Sequence, residues 1–126
     1  MTDSESATRD LGSAHHGGEH WVHERLLSAA SLLLGIWLLA SLLLLPSLDQ
    51  RTLGEWLRGA SGALPMALFI IVSFKHAVDG LKVVVDDYVH DDGNRFLLIG
   101  LINFLAVGGA SLALFALAKI ALGAAA

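Results

Sequence analysis

Two uncharged, Leu-rich runs, residues 26–45 and 96–118, constrain this chain more than anything else in it. At about 1.5 Å per helical residue the first measures about 30 Å, the thickness of a bilayer's hydrocarbon core. Water is absent at that depth, so each run must satisfy its backbone N–H and C=O groups internally, as an α-helix. Composition agrees with a membrane setting. Of 126 residues, 55% are hydrophobic and only 16% are charged, where an ordinary soluble domain carries about a quarter. A net charge of −4 leaves no basic stripe for nucleic-acid phosphates. With no Cys, disulfides, thiolate zinc sites, iron–sulfur ligation and a thiol nucleophile are excluded.

Residues 1–20 (MTDSESATRDLGSAHHGGEH) are polar and poor in large apolar side chains, too little to offset the entropy of ordering, and are expected to form a mobile tail. The tail has no apolar core of the kind a secretory signal needs, and Asp3, Glu5 and Asp10 spoil the acid-poor pattern of a mitochondrial transit peptide. A bacterial membrane is the setting this leaves. His15-His16 beside Gly17-Gly18 reads as a solvated pair, since two glycines fix no ligand geometry. The anchor proper, residues 21–126, divides into spans at about 25–46, 60–89 and 96–120. Between the first two, Pro46 breaks the pattern and residues 53–57 with Trp56 read as a short interfacial piece. Between the last two lies a compact acidic turn, residues 91–95 (DDGNR), in which Gly93 is suited to positive φ. The expected fold is therefore all-α integral membrane: three transmembrane helices behind a disordered or partly helical N-terminal tail. With the N-terminus in the cytoplasm, Arg9, Arg25, Lys82 and Arg95 fall inside and Arg51, Arg58 and Lys119 outside, a bias that favours that orientation.

The second span is apolar only over its first two-thirds. Lys75, His76, Asp79, Lys82, Asp86 and Asp87 follow, and ionisable groups inside a span cost about 2.5–3.5 kcal/mol each on insertion scales, so they point to function. Stepping 100° per residue puts Ser73, Gly80, Val83 and Asp87 within about 60° of His76, on one face. Lys75, Asp79, Lys82 and Asp86 make a second stripe of alternating sign, the spacing of a self-neutralising ladder. On the first face His76 suits an axial position on haem iron, with Gly80 clearing room for a flat macrocycle. A His hydrogen-bonded to a neighbouring helix, with Gly80 at a close helix contact, is the alternative the residues leave open. Since His76 is the one His inside a span, a second axial His would come from another chain. Asp87-Tyr88, near the cytoplasmic end, pairs a phenol donor with a carboxylate, which suits a quinone carbonyl that takes up protons on reduction; the other reading of Tyr88 is an interfacial aromatic anchor.

His76-x-x-x-Gly80 followed by Asp87-Tyr88, at the end of the second of three spans, resembles the smaller hydrophobic membrane anchor of bacterial succinate dehydrogenase, respiratory complex II. An Arg at the base of the first helix (His23-Glu24-Arg25-x-x-Ser28) fits the same pattern, which covers about residues 20–122. The resemblance implies that His76 is an axial ligand of haem b, shared with a companion anchor chain that supplies the opposing His. It implies that Tyr88 hydrogen-bonds ubiquinone, that Asp87 orients the site or handles protons, and that Arg25 and His23 lie near the haem propionates. The flavoprotein and iron–sulfur subunits would oxidise succinate, and this chain, without flavin fingerprint or Cys, would be an anchor and not a catalyst by itself. Lys75 and Asp79 are not typical of the family. Three other readings stay open: the anchor of a quinol:fumarate reductase, a cofactor-free membrane scaffold, and an ion or proton channel along the charge ladder.

Overall fold

The computed structural model describes residues 3–123, with side chains described from Gly17 onward. Four helices follow one another: α1 (Asp3–Leu44), α2 (Gln50–Arg58), α3 (Ala60–Tyr88) and α4 (Asp92–Ala121). Within α1, the stretch Gly17–Leu44 is long and apolar enough to cross a membrane, and so is α4, Asp92–Ala121. The polar segment expected as a mobile tail is helical from Asp3 and continuous with the first apolar run. Once a long helix is nucleated, each further residue adds a hydrogen bond without a new nucleation cost, so the helix extends back past Gly17-Gly18. Met1 and Thr2 lie outside the described residues, as do the side chains of His15 and His16.

Local chemistry sets the helix ends. Pro46 disfavours the helical conformation at Leu45, and α1 stops at Leu44. Asp49 then caps α2: the Ser47 hydroxyl donates to its Oδ2 at 2.6 Å and the Thr52 N–H to its Oδ1 at 2.8 Å. The Ser47 donor, followed by that of Thr52, holds the Asp49 carboxyl below the usual carboxylate range, because both favour the charged form. Asp91 caps α4 in the same way, accepting from the Asn94 N–H at 2.8 Å, while Arg95 pairs with Asp92 at 2.7 Å. Here the expectation for Gly93 is corrected. With Asp91 as the cap, Gly93 falls in the first turn of α4, and positive φ occurs among the described residues only at Gly123 (φ 67°).

The helices pack with α3 in the middle: α1 lies on one side of it, α4 on the other, and α2 across the end where α3 begins and α4 finishes. Trp37 of α1 stacks on Trp56 of α2, ring centroids 5.7 Å apart and planes 26° from parallel, so α2 is pinned to both neighbours. Glycines let the backbones close in. At Gly109 a Cβ would sit 2.8 Å from Phe74 Cε1, where the ring of α3 lies over α4, and at Gly62 a Cβ would fall on the Trp56 carbonyl. This arrangement encloses very little. Val78, Val85 and Leu117 are the large apolar residues buried among the described residues, and no polar residue is buried as a whole. The accessible surface is 9391 Å², where a compact soluble monomer of 13.3 kDa would have about 6,500 Å². Leu32, Leu33, Leu43, Phe104, Leu112 and Phe115 are each well over half exposed. Faces of that kind need lipid or a partner protein against them.

The corner between α2 and α3 gives a clean packing test. Gly62→Ala should lower stability by about 1–3 kcal/mol, since backbone stands where the methyl must go. Gly100→Ala, which meets nothing within 4 Å, should leave the thermal midpoint in detergent unchanged or slightly raised. Circular dichroism melts of the two variants check the contrast.

Candidate functional site

Helix α3 presents two different faces to its neighbours. Between α1 and α3 lies a shallow cavity of about 180 Å³ lined by Glu24, Leu27 and Ser28 of α1 and by His76, Asp79, Gly80 and Val83 of α3. The steps from 76 to 80 and 83 are one helical turn each, so the backbone itself brings this stripe to one side. His76 is exposed, and a Cβ built at Gly80 meets nothing within 4 Å. The imidazole therefore looks onto open space where a flat group has room. One turn further along the same stripe of α1, the Ser31 hydroxyl is buried with no hydrogen-bond partner among the described residues. Gly35 continues the stripe, the position of its Cβ being 4.0 Å from Phe69 Cε2.

Of the residues singled out from the sequence, the cavity brings together His76, Gly80 and Val83 of the first face and Asp79 of the ladder. Asp87 and Tyr88 lie at the end of α3, both exposed, with Tyr88 at 78%, about 18 Å along the helix from His76. His23 and Arg25 do not line the cavity. They flank Glu24 by one residue on either side, turned about 100° from it, and the Arg25 guanidinium lies 5.1 Å from the centre of the Trp21 ring. Sequence reasoning missed Leu27 and named Glu24 and Ser28 only in the run around Arg25, without a place in this site. Glu24 accepts from His20 Nε2 at 3.1 Å when that imidazole carries its proton there, and the Ser28 hydroxyl donates to the Glu24 carbonyl oxygen at 2.9 Å. The signal was present as an i, i+4, i+7, i+11 stripe of polar and small residues (Glu24, Ser28, Ser31, Gly35) in an otherwise Leu-rich helix. Among the described residues no group of three His, Asp or Glu side chains gathers as a metal cluster, and His76 is the one imidazole lining this cavity.

The charge ladder is realised in its first half. Lys75 Nζ donates to Asp79 Oδ1 at 2.6 Å, and Asp79, with its side chain 18% exposed, is the better covered partner. Lys82 and Asp86 form no ion pair among the described residues. Asp79 also lines the cavity beside His76, so the Lys75–Asp79 pair ties that face to the opposite side of α3.

Comparison with known proteins decides the lineage of this geometry. Residues 2–110 match the family model described as succinate dehydrogenase/fumarate reductase transmembrane subunit. The chain belongs to that family. It is 32% identical over 120 residues to the succinate dehydrogenase hydrophobic membrane anchor subunit of Paracoccus denitrificans, covering 94% of this chain and 91% of the relative. It is 27% identical over 99 residues to the protein of the same name from Rickettsia bellii, 79% of each chain. No solved structure gives a significant match. The family resemblance is thereby borne out, and the exposed apolar faces of this succinate dehydrogenase/fumarate reductase family member belong to a membrane protein.

The ion pair beside the cavity is open to a double-mutant cycle. Asp79→Asn alone should destabilise more than Lys75→Met with Asp79→Leu together, because removing one partner leaves a charge uncompensated while removing both does not. Unfolding of the variants in mixed detergent micelles measures the difference.

Proposed function

We propose that this chain is the membrane anchor of a succinate:quinone oxidoreductase in a bacterial cytoplasmic membrane. In this reading it crosses three times with its N-terminus inside and supplies one wall each of a haem b site and a ubiquinone site. The observation that carries the reading is the open α1–α3 cavity with His76 exposed into it and Gly80 leaving room one turn on. The residues present fit a haem: one imidazole, no competing ligand cluster among the described residues, and a wall that this chain alone leaves unfinished. Bound there, the haem would supply a one-electron store next to the quinone.

The chain's own residues divide the remaining work. His76 would hold the haem through an imidazole nitrogen, and a second anchor chain would complete the site. Arg25 and His23 stand at the level of Glu24, from which they would hold the carboxylates of the macrocycle. Helix α3, 29 residues long, extends about 43 Å, enough to cross the bilayer and carry Tyr88 to the cytoplasmic surface. There the Tyr88 phenol donates a hydrogen bond to a quinone carbonyl oxygen. Asp87 beside it relays protons from water as two electrons arrive and both carbonyls become hydroxyls. The electrons come from an iron–sulfur protein seated on this face and, upstream, from a flavoprotein that converts succinate to fumarate. Lys75 and Asp79 neutralise each other across α3, which disfavours a channel along the ladder.

His76→Ala should remove or change the low-spin haem spectrum of the purified complex while the chain still assembles; an unaltered spectrum contradicts the ligand assignment. Tyr88→Phe should lower quinone reduction several-fold and leave succinate oxidation by an artificial acceptor near its normal rate. Loss of both activities together would give Tyr88 a role in assembly.

A further inference from the structure

The two clefts that flank α3 differ in the ionisable groups they take from it. The α1 side holds Glu24, Asp79 and His76, whereas the groove between α3 and α4, about 240 Å³, takes both cations of the ladder, Lys75 and Lys82, with Asn103 opposite them. Apart from those heads the groove is apolar, floored by Phe74, Ala106 and Ala110 among others. Lys75 is neutralised by Asp79. Lys82 is not: it makes no ion pair among the described residues, and Asp86 one turn away does not reach it. Asn103 uses one amide hydrogen on the Ile99 carbonyl oxygen at 2.8 Å and keeps a second donor.

Depth gives this groove its meaning, and here the reading of α3 as a membrane-crossing helix is required. Lys82 lies six residues before the end of α3 at Tyr88, about 9 Å below the surface. A lysine there extends its stem along apolar surface and brings its ammonium to the level of lipid phosphates. We infer that the α3–α4 groove is a binding site for an anionic phospholipid, its phosphate held by Lys82 and one acyl chain lying along the groove past Phe74 toward Ala110. A cation at the mouth of an apolar trough matches an anionic amphiphile in both parts. A zwitterionic lipid, whose own ammonium competes with Lys82 for the phosphate, fits less well. The site is separate from the His76 cavity, which opens on the opposite side of α3.

Native mass spectrometry tests this on the full chain purified in mild detergent with its associated proteins, after delipidation. The sample is offered phosphatidylglycerol and phosphatidylcholine of the same acyl chains. Wild type should retain phosphatidylglycerol in preference. Lys82→Gln should reduce that retention about tenfold, the scale of one charge-assisted hydrogen bond, and Lys82→Arg should keep it. Ala110→Phe, which fills the trough and leaves Lys82 in place, should also displace the lipid, so the test does not depend on one variant. Equal retention of the two lipids by wild type, or an unchanged preference in Lys82→Gln, overturns the inference. Displacement by inorganic phosphate alone would overturn the lipid as the ligand. The haem spectrum of the same samples is expected to be unaffected, which separates failure here from failure of the His76 assignment.

Discussion

The position of α3 between α1 and α4 is the constraint on which the rest of this structure depends. A helix that carried Lys75, His76, Asp79 and Lys82 on a lipid-facing surface would meet a penalty of several kcal/mol for each group. Packed on two sides, α3 places those groups in the open clefts beside its neighbours: His76 and Asp79 beside α1, Lys75 and Lys82 beside α4. The outer helices carry most of the exposed large apolar side chains, and the middle one carries the ionisable groups. Glycines at the contacts make the layer thin enough for this, with Phe74 lying over Gly109 and Trp56 seated on Gly62.

A layer of three long helices has no closed interior, and here that openness suits the function. Three large apolar side chains are buried among the described residues, and the cavity at His76, between α1 and α3, is open to the outside. Such a surface suits a membrane anchor that works within a larger assembly, in keeping with membership of the succinate dehydrogenase/fumarate reductase transmembrane family. The interfacial helix α2 performs a different task. Stacked on Trp37 and capped by Asp49, it closes the end of the layer remote from Tyr88.

Helix positions were legible because hydrophobic length and Pro46 speak directly to them: α3 runs from Ala60 to Tyr88 and α4 from Asp92 to Ala121, within a few residues of expectation. Gly93 misled because a turn and a helix N-terminus use the same residues; the Asp91 side chain, not the glycine, decides between them. Residues 3–20 looked too polar to order, yet a preformed helix extends into them at little cost. At the site, the i, i+4 step from His76 to Gly80 was visible because both lie on one helix. Glu24 and Ser28 were not, since which stripe of α1 meets α3 depends on tertiary packing that no single helix encodes. The ladder is realised only in part for the same reason: its spacing suits two ion pairs, but Lys82 lines the α4 groove while Lys75 alone meets its acid, Asp79.

At the centre of the proposed function stands a haem held by His76 at a site shared with a second membrane chain. A dithionite-reduced minus air-oxidised optical spectrum of the complex purified through this chain tests it most directly, with succinate as reductant in a parallel cuvette. A low-spin b-type haem reducible by succinate, together with co-purifying flavin, is the expected result. A complex that contains flavin but no haem would contradict it and return His76 to a packing or hydrogen-bonding role.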